Sequence, residues 1–159
     1  DGETGLPVFS SVQAMSLWNS TARPVPTDAI RAALAAASED TKRIVLDPGS
    51  PTEFVLRRPA IEAMAKQLGW TPPHLNRDLF KALTASLQGN PNIKGLSLRS
   101  GDLLSRLKGP ELIIDLEMKP GLAKSELGES VNLLLADWAK IPMLASLVDS
   151  MKVEIQAAR

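Results

Sequence analysis

One short pattern recurs along this chain and restricts its folds more than any other feature. An apolar residue is followed three positions later by a second, two later by a third, and three later by a small residue. Val12-Met15-Leu17-Ser20, Ile93-Leu96-Leu98-Gly101 and Ile113-Leu116-Met118-Gly121 follow it. Thr41-Ile44-Leu46-Gly49 follows it with a polar first position, and Ser150-Val153-Ile155 is a truncated copy. Stretches with helical spacing separate most of the copies. Repeated strand–turn–helix units predict a solenoid, because one unit cannot bury its apolar face alone and must stack on the next.

The punctuation between copies supports short elements. Ser11 to Leu17 alternates as a strand would, although its Gln, Ala and Met also tolerate a helix, and Asn19 to Pro26 reads as loop. Thr27 is placed to cap an alanine-rich helix through Ala37, with Asp28 at its positive end. Arg43 to Leu46 is a β-branched strand closed by Asp47-Pro48-Gly49. Pro59 opens a helix that Gly69 stops, and Asn76 caps another running to Gly89. Ile93 to Leu98 and Glu111 to Met118 are strands, with a short helix expected over 102–107 between them. Ser125 to Ala139 is a long amphipathic helix and Pro142 restarts one through Leu147. Met151 to Ile155 fits either a last strand or a continuation of that helix, and residues 1–10 read as a loose lead-in.

The segment Leu79 to Leu98 runs from a helix with paired leucines, through an Asn-containing turn, into a strand of the form L-x-x-L-x-L. In this it resembles leucine-rich repeats of the ribonuclease-inhibitor type. Asp28 to Gly49 is similar, and its copy of the pattern starts at Thr41, 29 residues after Val12. The other spacings are 52 and 20 residues, and Ser20, Gly49, Gly101 and Gly121 stand where the family favours Asn. The resemblance implies a helix-rich α/β or α+β fold, an irregular solenoid with short parallel strands. The alternative is a compact α+β domain with a small sheet. At 159 residues one domain is expected, and a first residue other than Met suggests a fragment or a processed part of a larger protein.

In such a repeat alternate strand positions point inward and the rest face the concave surface. The outward set would hold Ser16 and Trp18, Val45 and Asp47, Ser97 and Arg99, Glu117 and Lys119, Glu154 and Gln156. Trp18, Asp47, Arg99, Glu117 and Lys119 are the binding candidates, since an exposed Trp and an Arg suit an interaction hot spot. The competing reading places Trp18 as an anchor beneath the Pro24–Pro26 loop.

Composition removes several chemistries. The chain has no Cys, no Tyr and one His, so thiolate nucleophiles, disulfides and Cys-based zinc sites are excluded. Lys plus Arg equals Asp plus Glu at 18 each, which argues against a whole-domain grip on nucleic acid or an anionic membrane. No apolar run is long enough to span a bilayer. Neither a phosphate-loop spacing nor a metal-ligand cluster occurs, and no cofactor is expected. These features assign no compartment.

Residues 65–79 also look like a bacterial helix-turn-helix, with a Leu-Gly turn and a second helix offering His74, Asn76, Arg77 and Lys81 to a DNA groove. Pro72-Pro73 is tolerable there only in a first turn. His74 is the one candidate imidazole base, and no Gly-x-Ser-x-Gly elbow accompanies it. Asp115 with Glu117 and Glu126 with Glu129 are the carboxylate pairs available for acid–base work or cation binding. The expectation is therefore a non-enzymatic module that recognises another protein. The alternatives are a helix-turn-helix DNA-binding regulator using residues 71–81, and a small enzyme or non-covalent scaffold enzyme lacking a cysteine nucleophile.

Overall fold

The computed structural model describes residues 4–38, 41 and 43–157. Among them are six α-helices and six strands, in two three-stranded sheets. The chain forms two units: one takes residues 1–70 with 103–108, the other residues 71–102 with 109–159.

In the first unit, strands β1 (Leu6–Val8), β2 (Arg43–Leu46) and β3 (Phe54–Arg57) lie in that order. β1 runs parallel to β2, with Leu6 beside Ile44, and β3 runs antiparallel. A parallel pair needs a crossover. Here α1 (Val12–Trp18) and α2 (Ala29–Ser38) supply it. α3 (Arg58–Ala65) follows β3 directly, with Pro59 in its first turn, where a missing N–H costs nothing. Ala33, Ala36, Ile44 and Ile61 are the buried centre, and Leu6, Val8, Leu56 and Met64 pack around them. The alanines of α2 let it approach α3 closely, at the cost of a thin apolar layer.

The second unit is built on β4 (Ile93–Ser100), β5 (Leu112–Met118) and β6 (Met151–Ala157), with β5 central. β4 pairs antiparallel with β5, Ser97 opposite Asp115, while β6 runs parallel to β5, Asp115 beside Glu154. α4 (Arg77–Ala85) precedes β4, and α5 (Lys124–Trp138) and α6 (Pro142–Leu147) form the crossover from β5 to β6. Leu79, Leu83, Leu112, Ile114, Leu116, Met118, Leu134 and Trp138 are essentially sealed from solvent. Fully burying one such side chain stabilises by about 1.5–3 kcal/mol. Trp138 keeps its polar atom satisfied, donating from Nε1 to Ser86 Oγ at 2.7 Å.

Several expectations need correction. Residues 11–17 form helix α1, not a strand: Ser11 Oγ accepts the Ala14 N–H and caps it. The lead-in contains β1 over its described part, residues 1–3 lying outside the described residues. The alanine helix is capped by Asp28, whose Oδ1 accepts the Arg31 N–H, and not by Thr27. No helix forms over 102–107; Ser105 and Leu107 take positive φ values there, of 50° and 57°. The two glycines flanking this loop are required. A Cβ on Gly101 would collide with the Pro110 carbonyl oxygen, and one on Gly109 with the carbonyl oxygen of Gly101.

The repeat copies do not stack as parallel rungs. The first is helical, the second lies in the first sheet, and the third and fourth pair antiparallel as β4 and β5. Only the last copy, β6, runs parallel to a neighbouring copy, β5. The α+β alternative with small sheets describes both units. The in-and-out alternation does hold in the second sheet: Leu96, Leu98, Leu116, Met118 and Val153 join the core, and the intervening residues face away.

Candidate functional site

Two surfaces carry the sequence-derived candidates, one on each unit. In the first unit, β1 ends at Val8 and the chain passes through Phe9 and Ser10 into α1. Met15 is the buried residue of α1, and it turns Trp18 onto Phe9, ring centroids 5.3 Å apart and tilted by 44°. After Asn19 the proline-rich segment 22–27 folds alongside. Together Val8, Phe9, Met15, Trp18, Pro24 and Val25 line an open groove of about 530 Å³. Trp18 remains 48% exposed, so it is a wall of this groove and not a core anchor. Val12, Leu17 and Val25 are more exposed still. Single exposed apolar residues are ordinary, but a contiguous set of this kind marks interaction surfaces.

Asp47 lies close by but serves a different purpose. It is buried, at 4% exposure, and sits at φ 48° in the turn after β2. The Ser10 N–H donates to Oδ1 at 2.8 Å, and the hydroxyls of Ser10 and Thr52 donate to Oδ2 at 2.7 and 3.3 Å. The backbone N–H of Ser10 holds the carboxyl below its ordinary range, helped by the Ser10 hydroxyl and opposed by burial. The Asp47 N–H itself donates to the Val8 carbonyl at 2.8 Å. Asp47 therefore fastens the end of β1 to the end of β2, and its charge is spent inside the unit.

In the second unit the face of the sheet turned from the core is polar apart from the buried Ile113. Arg99 on edge strand β4 reaches its neighbour β5 and, beyond it, β6. Its Nε donates to Asp115 Oδ2 at 2.8 Å and one terminal nitrogen to Glu154 Oε2 at 2.5 Å. The hydrogen bond to Asp115 raises the guanidinium pKa above its already high value. Gln156 Nε2 donates to Asp115 Oδ1 at 3.1 Å, and Lys152 Nζ stands 2.9 Å from Glu154 Oε1. Lys152 is the main cause of a lowered Glu154 pKa. Beside this network, Gly95, Ser97, Glu117 and Gln156 border a shallow depression of about 360 Å³. Arg99 and Glu117 are thus brought to one face, together with Ser97, Glu154 and Gln156, as the alternation implied. Lys119 lies just past the end of β5, where its backbone N–H meets the Asn92 carbonyl at 2.8 Å.

The groove-reading candidates occupy other geometry. His74 is in a 3-10 turn over Pro73–Leu75, half-buried. Asn76 spends its side-chain oxygen on the N–H groups of Asp78 and Leu79, capping α4. Arg77 is exposed, and Lys81 lies 3.6 Å from Asp78 on the same helix. The Leu68-Gly69 turn belongs to the first unit and residues 71–81 to the second. Among the described residues no group of three or more His, Asp or Glu side chains could hold a metal ion, and no helix is long and apolar enough to cross a membrane.

The groove around Trp18, the Asp47 latch and the sheet beneath them all fall in one stretch of sequence with a recognisable relative. Residues 1–63 are similar to the SseB protein N-terminal domain. The SseB-like stretch covers β1 through β3 and most of α3, and stops before the second unit begins. It contains Trp18 and Asp47, while Arg99, Glu117 and Lys119 lie outside it. No curated protein and no solved structure matches the chain. Sequence reasoning set the Pro24–Pro26 loop beside Trp18 but missed Phe9 and the groove that these residues form together. Two prolines flanking a valine within ten residues of an exposed-face Trp were the available signal.

Proposed function

We propose that this chain is a non-enzymatic protein-recognition module whose first contact surface is the apolar groove of the SseB-like unit. The observation that carries this is Trp18, a half-exposed aromatic held at a defined tilt by Phe9 and facing a wall of Pro24 and Val25. An aromatic already fixed by a neighbour loses little conformational freedom on binding, which is the usual character of a hot-spot anchor. The groove's apolar lining suits an aliphatic or aromatic side chain presented by another protein.

The test compares proteins captured from a lysate by the native chain and by Trp18→Ala. Recovery of a specific partner should drop by tenfold or more in the variant, whose circular dichroism should be unchanged. Equal recovery by both would remove the groove from consideration. Arg99→Ala is the companion variant on the second unit. A role for residues 71–81 in DNA binding is the other reading, favoured by the exposed Arg77 at the start of α4. Retention on duplex DNA at low salt, lost in Arg77→Ala, would support it.

A further inference from the structure

Among the described residues strand β6 is an unpaired edge, and its backbone polarity and side-chain order are self-complementary. The Leu112 N–H donates to the Ser150 carbonyl at 3.1 Å, and Leu112 stands beside Met151 in the parallel register. That phase aims the N–H and C=O of Lys152, Glu154 and Gln156 at β5. It aims those of Met151, Val153 and Ile155 the other way, to the open side. Among the described residues no fourth strand lies there, since the sheet order is β4-β5-β6. Met151 is 38% and Ile155 50% exposed, although both lie on the sheet face that carries the core.

We propose that this edge pairs with the same edge of a second copy of the chain, antiparallel about a two-fold axis through Val153. In that register Val153 faces Val153 of the other copy, and Met151 faces Ile155. All three are residues whose amides point outward, so each N–H meets a C=O without any slip. On the opposite face Lys152 falls across from Glu154, twice by symmetry, placing unlike charges together. The exposed Met151 and Ile155 side chains cover one another. The two sheets become one six-stranded sheet, and the interface is isologous, as a closed dimer requires. Like charges at 152 and 154 would have forbidden this register; the alternation Lys-Val-Glu permits it. The inference draws on the second unit alone and stands apart from the groove reading.

Light scattering of the 159-residue chain at roughly 100 µM, where a micromolar dimer is saturated, should give twice the 17.1 kDa chain mass. Val153→Pro removes one outward N–H and no bond to β5, and should return the mass to that of a single chain. Lys152→Glu, an exposed substitution that leaves the ladder to β5 intact, should raise the dimer dissociation constant about tenfold by setting Glu opposite Glu. Should Val153→Pro fail to fold, Lys152→Glu decides alone. Because the chain has no Cys, Val153→Cys gives an unambiguous register test. Its sulfurs should crosslink across the axis under mild oxidant. Those of Lys152→Cys, offset by two residues, should not. A single-chain mass with no crosslink overturns the proposal. So does a dimer indifferent to both Val153→Pro and Lys152→Glu, or an extended foreign peptide that adds to β6 while the chain alone stays single.

Discussion

Asp47 shows how one carboxylate can be assigned the wrong job from its position alone. The alternation of β2 puts it on an outward step, and a turn aspartate before Pro-Gly is normally solvated. Here it accepts hydrogen bonds from Ser10 and Thr52 and is almost sealed. Its pKa is lower folded than unfolded. The associated stability is thus present above the unfolded carboxylate range and is lost as pH falls through the folded value. Asp47→Asn should cost about 1–3 kcal/mol near neutral pH, because the Ser10 N–H loses a charged acceptor. The same substitution should flatten the acid limb of the stability profile, read by urea melts between pH 7 and 3. Trp18 presents the opposite case. A large aromatic in a leucine-poor stretch invites a core assignment, yet half its surface is wet. Acrylamide should quench Trp18 in a variant lacking Trp70 and Trp138 far more than it quenches Trp138 in the reciprocal variant, since Trp138 is 1% exposed.

At the scale of elements, caps and crossovers decide what alternation leaves ambiguous. α4 begins where Asn76 accepts two backbone N–H groups, and Asn76→Ala should lower stability by about 1 kcal/mol in chemical denaturation. α1 was hidden because Val12, Met15 and Leu17 suit a strand as well as a helix. The Ser11 cap tips the balance, and β2 already has β1 and β3 on its two sides. The loop over 102–107 could not stay helical once its ends were drawn together at Gly101 and Gly109. Gly101→Ala should destabilise by roughly 1–3 kcal/mol, the cost of overpacking against backbone that cannot yield. Across β4, β5 and β6, Arg99 ties two acidic side chains from different strands. Glu154 titrates below its ordinary range, chiefly through Lys152 and in smaller part through Arg99, so its contribution persists at neutral pH and fades on acidification through the folded value. Thermal melts of Arg99→Ala should therefore fall below those of the native chain at pH 7, with the gap closing toward pH 3.

For the molecule as a whole, the chain divides between two cores of different make. The first relies on alanines against a short sheet, and the second on leucines, isoleucines and Trp138 around β5. The second core tolerates little change: Leu116→Ala should cost about 2–5 kcal/mol, measured by the loss of Trp138 fluorescence on unfolding. The likeness to the SseB protein N-terminal domain falls on residues 1–63. Any property argued from it belongs to the first unit, while the self-complementary β6 edge belongs to the second. Recognition of another protein and pairing with a second copy can thus be tested by separate variants, Trp18→Ala and Lys152→Glu.

What the amino-acid order determined by itself was local: the cap at Asn76, the proline start of α6 at Pro142, strands β2, β4 and β5, the long helix α5, and the outward set on the second sheet. These follow from backbone sterics, capping hydrogen bonds and period-two alternation, all of which act within a few residues. Tertiary structure alone decided which strand lies beside which, and in what direction. The recurring spacing says that an apolar face exists, not what will cover it. Antiparallel pairing of β4 with β5 and burial of Asp47 by Ser10 depend on contacts between residues 16 and 37 apart. Such contacts are chosen by competition among all surfaces the chain can bury, and no short pattern records the outcome.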